Sequence, residues 1–111
     1  TMVDLLHSPK HGGGWEEIWR SLELVDFFDV EAVITYLMNL RSALTFARVG
    51  FFLDQHRDTL FVEDHHLDVL ENHRPKQVRY FDSSRKRGLL VRRWNLIVPN
   101  EILNRTWAEV S

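Results

Sequence analysis

The 111-residue sequence contains no cysteine, and this absence excludes several kinds of chemistry. Without a thiol the chain forms no disulfide, no thiolate nucleophile and no Cys-ligated zinc site. A chain without cysteine suits a reducing cytosol, so we expect a cytoplasmic location. The sequence also lacks an apolar run near the ~20 residues that cross a bilayer. Residues 1–6 have neither the basic start nor the apolar length of a signal peptide, so we expect no membrane association.

Proline and glycine are scarce, with three and five residues, and they divide the chain. A segment with one Pro and three Gly, residues 8–14, and then Pro75 are predicted to end helices. Apolar residues at helical spacing predict the helices between these breakers. Asp29 and Ser42 are the predicted N-caps of two of them. The predicted helices lie within residues 1–7, 15–25, 30–41, 43–53 and 59–72, and a last one spans residues 101–110.

Small residues line one face of the predicted helix that follows Ser42. Ala43, Ala47 and Gly50 recur there at the spacing i, i+4, i+7. A glycine within a helix costs about 1 kcal/mol relative to alanine, so its presence needs a reason. We expect another helix to pack closely against this face.

The hydrophobic period changes from helical to alternating after Pro75. Val78 and Tyr80 alternate with charged or outward residues, and Leu96 and Val98 do the same later. These stretches predict two strands within residues 77–99, joined as an antiparallel hairpin by a polar linker, residues 82–88. The expected fold is mainly α (α+β), a four- to five-helix bundle with a small antiparallel β-hairpin near the C-terminus. Residues 1–111 are expected to form a single domain.

Basic residues are rare in the first two-thirds of the chain and concentrated in the last third. Residues 1–73 carry a balance of −8 and residues 74–111 a balance of +6, although the net charge is only −2. This asymmetry predicts a surface for DNA phosphates or for an acidic protein partner. The alternative is that the basic segment pairs with the chain's own acidic helices. The predicted binding residues are Arg85, Lys86, Arg87, Arg92 and Arg93.

Catalytic motifs are missing, and one acidic and histidine-rich stretch is the strongest candidate metal site. A zinc or manganese site needs three or four converging ligands. Asp64 and Asp68 share a helix face, and His65 lies one position away, but His65 and His66 point about 100° apart. A metal-dependent nuclease or hydrolase using Asp64, His65 and Asp68 is therefore the alternative function. A solvated helix face is the favoured interpretation, with no catalytic residue, no metal and no cofactor.

The seven phenylalanines are many for a chain of this length. Two adjacent pairs, Phe27 with Phe28 and Phe51 with Phe52, are too many to bury easily. Exposed apolar patches often mediate association between protein chains. A third hypothesis is therefore a plain dimerisation module that forms a homo-oligomer through these four residues.

A family resemblance rests on several short segments and on their order along the chain. These segments are residues 1–9, the glycines at 12–14, residues 42–44 and 48–53, residues 80–82 with Arg87 and Gly88, and residues 93–99. Their order resembles the C-terminal domain of AbiEi-type antitoxins, which are predicted transcriptional regulators of abortive-infection (type IV toxin–antitoxin) systems for viral defence. The resemblance implies a non-catalytic regulatory domain that neutralises a nucleotidyltransferase-like toxin. Family members carry a DNA-binding winged-helix domain before this one, so we expect this chain to be a fragment without it.

Overall fold

The structure is a computed structural model that describes residues 2–8, 14–25, 27–85 and 87–105. Within these residues the chain is mainly helical with a small sheet, which confirms the predicted fold class. No described helix is long and apolar enough to cross a membrane. The elements in chain order are α1 (Met2–His7), α2 (Trp15–Glu23), α3 (Val30–Leu40), α4 (Ala43–Gln55), α5 (Arg57–Leu60), α6 (Asp64–Asn72), β1 (Arg79–Tyr80), β2 (Gly88–Val91), β3 (Leu96–Pro99) and α7 (Asn100–Asn104).

Both predicted N-caps are present. The Asp29 carboxylate accepts a hydrogen bond from the Ala32 N–H at 3.1 Å, and α3 begins at the next residue. The Ser42 hydroxyl accepts one from the Thr45 N–H at 3.2 Å and starts α4 in the same way. Each cap satisfies a backbone N–H that has no partner within its helix. These local signals set the boundary between α3 and α4.

The helix predicted over residues 59–72 is two helices, which corrects the sequence interpretation. The chain turns at Phe61, whose φ of 55° is left-handed, and α6 begins only at Asp64. Leu60 and Val62 are both buried. Residues two positions apart face different sides of a continuous helix, and the turn at Phe61 directs both Leu60 and Val62 into the core.

The sheet has the order β1-β3-β2 and differs from the predicted hairpin. The strands around Tyr80 and Leu96 were expected to pair antiparallel, but β1 runs parallel to β3, with Arg79 opposite Leu96. The antiparallel hairpin is formed by β2 and β3 instead. Gly88 begins β2, where a Cβ atom would lie 1.8 Å from the Val98 carbonyl oxygen. The sequence analysis missed β2, because this strand begins at Gly88, the residue that was interpreted as the end of a polar linker.

Helix α4 runs through the centre of the molecule, and every residue from 45 to 53 is buried. Such a helix is covered on all sides by other elements. Its Gly50 faces the indole of Trp94, and a Cβ atom there would lie 2.3 Å from the ring. The small face therefore receives a tryptophan from the β2–β3 hairpin, not the helix that the spacing predicted.

The aromatic side chains fill the core more completely than their number suggested. Phe51 and Phe52 are 5% and 0% exposed, so the prediction that they form a surface patch is wrong. Phe28 is partly buried, with its ring centroid 6.1 Å from that of Phe52. The ring of Phe52 also meets that of Trp19 edge to face, with the ring centroids 5.1 Å apart. Of the four phenylalanines, Phe27 is the one that stays largely exposed, at 72%.

Candidate functional site

The turn between β2 and β3 places four consecutive side chains in different environments. Asn95 adopts a left-handed φ of 54°, and its side-chain amide donates to the Pro75 carbonyl at 2.7 Å. Trp94 enters the core and is fully buried. Arg93 lies over the Trp94 ring, with its Cζ 5.4 Å from a ring centroid. Arg92 remains in solvent. The turn thus separates two neighbouring arginines into different environments.

Arg93 belongs to an internal network of ion pairs. Its Nε donates to the Glu71 carboxylate at 2.7 Å, and its Nη2 donates to Asp68 at 3.3 Å. A third carboxylate, that of Asp54, lies 3.9 Å from Nη1. These contacts join the hairpin to α4 and α6. Among the predicted binding residues, Arg93 is therefore engaged in holding the hairpin on the helices.

Arg41, at the end of α3, is exposed and makes no side-chain hydrogen bond or ion pair with another described residue, and the same holds for four arginines in the last third of the chain. Three of them were predicted binding residues, whereas Arg79 was not. Lys86, which was also a predicted binding residue, lies outside the described residues. We call this set the basic surface; it consists of Arg79, Arg85, Arg87 and Arg92.

Arg79 could have been found from the sequence. It lies in the basic segment at an alternating position of the first strand, opposite the buried Leu96 in the sheet. Its strand is at one edge of the sheet, and Arg79 is exposed there.

Five arginines outside the basic surface form ion pairs with carboxylates. These carboxylates lie on described helices. Internal pairing, which the charge asymmetry left open, is thus found for Arg93 but not for the basic surface. The pairs are Arg20 with Glu16, Arg57 with Asp54 and Asp64, Arg74 with Glu71, and Arg105 with Glu23.

The alternative metal site does not assemble. Asp64 pairs with Arg57, and Asp68 pairs with Arg93 at 3.3 Å. The His65 ring nitrogen lies 3.5 Å from a Glu63 carboxylate oxygen. The three side chains thus have three separate partners, and no group of His, Asp and Glu among the described residues could hold a metal ion. The nuclease or hydrolase hypothesis needs these three side chains to converge on one point, and their positions give it no support.

Arg48 is a buried cation that the charge analysis of the sequence did not single out. Its side chain lies on α4, and the residue is only 4% exposed. Its Nε donates to the Phe81 carbonyl and its Nη1 to the Leu6 carbonyl, both at 2.9 Å. The guanidinium carbon lies 5.2 Å from the Trp15 ring centroid and 5.7 Å from that of Phe81. Carbonyl dipoles and aromatic faces replace part of the lost hydration.

Burial lowers the pKa of Arg48 to about 10, because desolvation disfavours the charged form. The nearby Asp82 raises this pKa, and Arg79 lowers it. Arg48 is therefore still cationic at neutral pH. No described carboxylate forms an ion pair with it, so its charge is balanced only at a distance.

An open cleft of about 470 Å³ separates α4 from the segment between β1 and β2. Arg48, Arg79 and Arg85 all line it, so the buried cation and two members of the basic surface meet there. Asp82 is the carboxylate in its wall. The lining residues are Leu44, Arg48, Val78, Arg79, Tyr80, Asp82, Ser83 and Arg85.

No family model, curated protein or solved structure matches the chain. The resemblance to AbiEi-type antitoxins therefore stays a prediction, based on the quoted segments. The basic surface and the cleft are the features of the structure that bear on function.

Proposed function

We propose that this domain is a non-catalytic regulatory domain that binds the phosphate backbone of DNA through the basic surface. The observation that carries the proposal is the absence of carboxylate partners for Arg79, Arg85, Arg87 and Arg92 among the described residues. In the same molecule, acidic side chains pair with five other arginines. Exposed cations without internal partners attract polyanions.

The proposed contact is independent of base sequence. Arginines that touch phosphates release condensed counterions, and this gives affinity that falls with salt concentration. Such contacts position a protein on the duplex without reading its bases. The domain would thus supply affinity and orientation to a regulator whose sequence reading lies elsewhere.

The resemblance to AbiEi-type antitoxins places this activity in a proposed biological context. The domain would belong to an antitoxin-like transcriptional regulator of a viral defence system in the cytoplasm. Its proposed protein partner is a cognate nucleotidyltransferase-like toxin. An acidic surface on that partner would compete with DNA for the same arginines.

The test is binding to a short DNA duplex of mixed sequence over a series of salt concentrations. Arg87→Gln and Arg92→Gln should each reduce the slope of log K against log salt by about one, because each removes one phosphate contact. Arg57→Gln removes the same charge from a paired arginine and serves as the matched control. It should leave the slope unchanged.

Three results would reject DNA as the ligand. They are absent binding by the unchanged domain, unchanged slopes in both variants, and an equal fall in the Arg57→Gln control. Binding of an acidic protein at these arginines, with no DNA binding, would assign the surface to a protein partner instead.

A second candidate function is self-association through a smaller apolar patch than the sequence predicted. Phe27 and Phe61 are 72% and 85% exposed and line one shallow groove. Phe61 holds a left-handed φ of 55°, which is unusual for a bulky residue. Sedimentation at increasing protein concentration tests this candidate. A homo-oligomer that Phe27→Ser and Phe61→Ser dissociate would support it, and a monomer at all concentrations would reject it.

A further inference from the structure

The cleft between α4 and the β1–β2 segment combines a buried cation with two exposed ones. We infer that it binds a phosphate monoester, such as the phosphate of a nucleotide or the terminal phosphate of a nucleic-acid strand. This inference deepens the proposed function, because Arg79 and Arg85 belong both to the cleft and to the basic surface. The exposed Arg87 and Arg92 do not line the cleft.

Charge is the first argument for a monoester. The cleft is lined by three guanidinium groups and one carboxylate, which leaves two positive charges without compensation. A phosphate monoester carries a charge of about −1.5 to −2 at neutral pH, whereas a backbone phosphodiester carries only one negative charge. The dianion therefore balances the cleft more closely than an internal phosphate does.

The state of Arg48 is the second argument. Its Nε and Nη1 are fixed by the Phe81 and Leu6 carbonyls, while its Nη2 makes no hydrogen bond to a described residue. A side chain that is 96% buried and held on two sides has already lost its rotational freedom. Binding an anion therefore costs little further entropy, as in preorganised sites. Charge-assisted bonds between guanidinium and phosphate are also among the stronger hydrogen bonds in proteins.

The segment that follows β1 positions the opposite wall. The Asp82 carboxylate accepts a hydrogen bond from the Ser84 N–H, and the Asp82 carbonyl accepts one from the Arg85 N–H, both at 2.9 Å. Arg85 has a left-handed φ of 57° at the end of this turn. The turn keeps the Asp82 carboxylate bonded to backbone while Arg85 lines the cleft.

Apolar side chains line the rest of the cleft and indicate what the phosphate is attached to. Leu44, Val78 and Tyr80 contribute to its wall, and Tyr80 is 41% exposed. Aromatic faces stack on nucleobases without sequence preference. The volume of about 470 Å³ falls within the usual range for small-molecule sites. A nucleoside monophosphate unit matches both the polar and the apolar parts.

The test compares ligands that differ only in the phosphate, by calorimetry at about 0.1 M ionic strength, where long-range attraction is screened. Adenosine 5′-monophosphate should bind the whole domain, and adenosine should bind at least about tenfold more weakly. Single-stranded DNA with a 5′-phosphate or a 5′-hydroxyl distinguishes the two sources. A preference for the phosphorylated strand assigns the cleft to strand ends, and equal binding of the strands assigns it to the free nucleotide.

The variants test the cleft itself. Arg79→Gln and Arg85→Gln should each weaken nucleotide binding about tenfold, and the control Arg57→Gln, which changes a paired arginine outside the cleft, should not change it. Arg48→Met keeps the side-chain volume and should abolish binding if circular dichroism shows a folded domain. If that variant does not fold, the exposed pair decides. Equal affinity for adenosine and its monophosphate, or unchanged affinity in both exposed variants, would overturn the inference.

The outcomes separate this inference from the proposed function. Nucleotide binding together with unchanged DNA salt slopes in Arg87→Gln and Arg92→Gln supports the cleft and rejects the DNA surface. Altered salt slopes without nucleotide binding reject the cleft and leave the DNA surface in place.

Discussion

Arg92 and Arg93 are neighbours in sequence, yet they belong to two regions with opposite electrostatic character. Arg93 lies on the Trp94 ring and pairs with carboxylates of α4 and α6. Arg92 lies in solvent with the other members of the basic surface and has no carboxylate partner among the described residues. A cluster of basic residues in a sequence can therefore be divided by the fold between internal ion pairs and exposed positions.

The two regions differ because the acidic residues are fixed on particular helix faces. Asp54, Asp68 and Glu71 all point toward the side where Trp94 enters the core. Among the described residues that line the cleft, Asp82 is the carboxylate beside Arg79 and Arg85, and it also accepts the Ser84 N–H. The first region is therefore neutralised internally, whereas the second keeps an excess of positive charge.

Removing Trp94 should give the largest effect, because the paired region is built on its ring. Trp94→Ala should lower the free energy of unfolding by roughly 3–5 kcal/mol, through lost burial and the cavity beside Gly50. Urea denaturation followed by circular dichroism measures this loss. An unchanged midpoint would show that the hairpin is not anchored in the core.

The two adjacent arginines should respond differently to the same substitution. Arg93→Ala should cost roughly 1–2 kcal/mol of stability, since it leaves Glu71 and its neighbours without their cation. Arg92→Ala is the matched control and should leave the urea midpoint unchanged. Equal destabilisation by both changes would remove the distinction between the two regions.

A smaller effect should appear in acid at a second internally paired site. Burial raises the pKa of Glu23, but hydrogen bonds from His56 and Arg105 outweigh it and hold the pKa below the ordinary value of 4.5. A depressed pKa stabilises the folded state above pH 4.5, and this stability is lost as the pH falls through the folded-state value. Glu23→Gln should therefore flatten the fall in stability below that pH. Parallel curves for both proteins would contradict the assignment.

The smallest effect is expected where a large apolar side chain is already in solvent. Phe27→Ser should shift the melting temperature by less than about 3 °C, since little burial is lost. The control Phe52→Ala removes a fully buried ring and should unfold the protein far more easily. A large shift for Phe27→Ser would mean that this residue is covered in solution.

The two helix N-caps were predicted correctly from local signals in the sequence, whereas contacts between distant segments were not predicted. Asp29 and Ser42 cap helices as predicted, because capping depends on a few adjacent residues. The parallel pairing of β1 with β3 could not be deduced, since alternation defines a strand but not its partner. Similarly, Gly50 showed that something packs closely, but not that it is Trp94.

The candidate site was predicted in composition and only partly in geometry. The basic segment and three of its exposed arginines were identified from charge alone. Arg93 was assigned to the binding surface because sequence distance hides its carboxylate partners, which lie 22 to 39 positions earlier on α4 and α6. Arg48 was missed as a site residue since its neighbours Leu6 and Phe81 are brought together only by folding.

The most direct test of the central claim compares two variants with equal loss of charge. One changes Arg79, Arg85, Arg87 and Arg92 to Gln, and the other changes four paired arginines, Arg20, Arg57, Arg74 and Arg105, to Gln. DNA binding is measured over a salt series for both. The account predicts that the first variant loses about four units of salt slope and that the second keeps the original slope. An equal loss in both variants would contradict it, because net charge alone would then explain the binding.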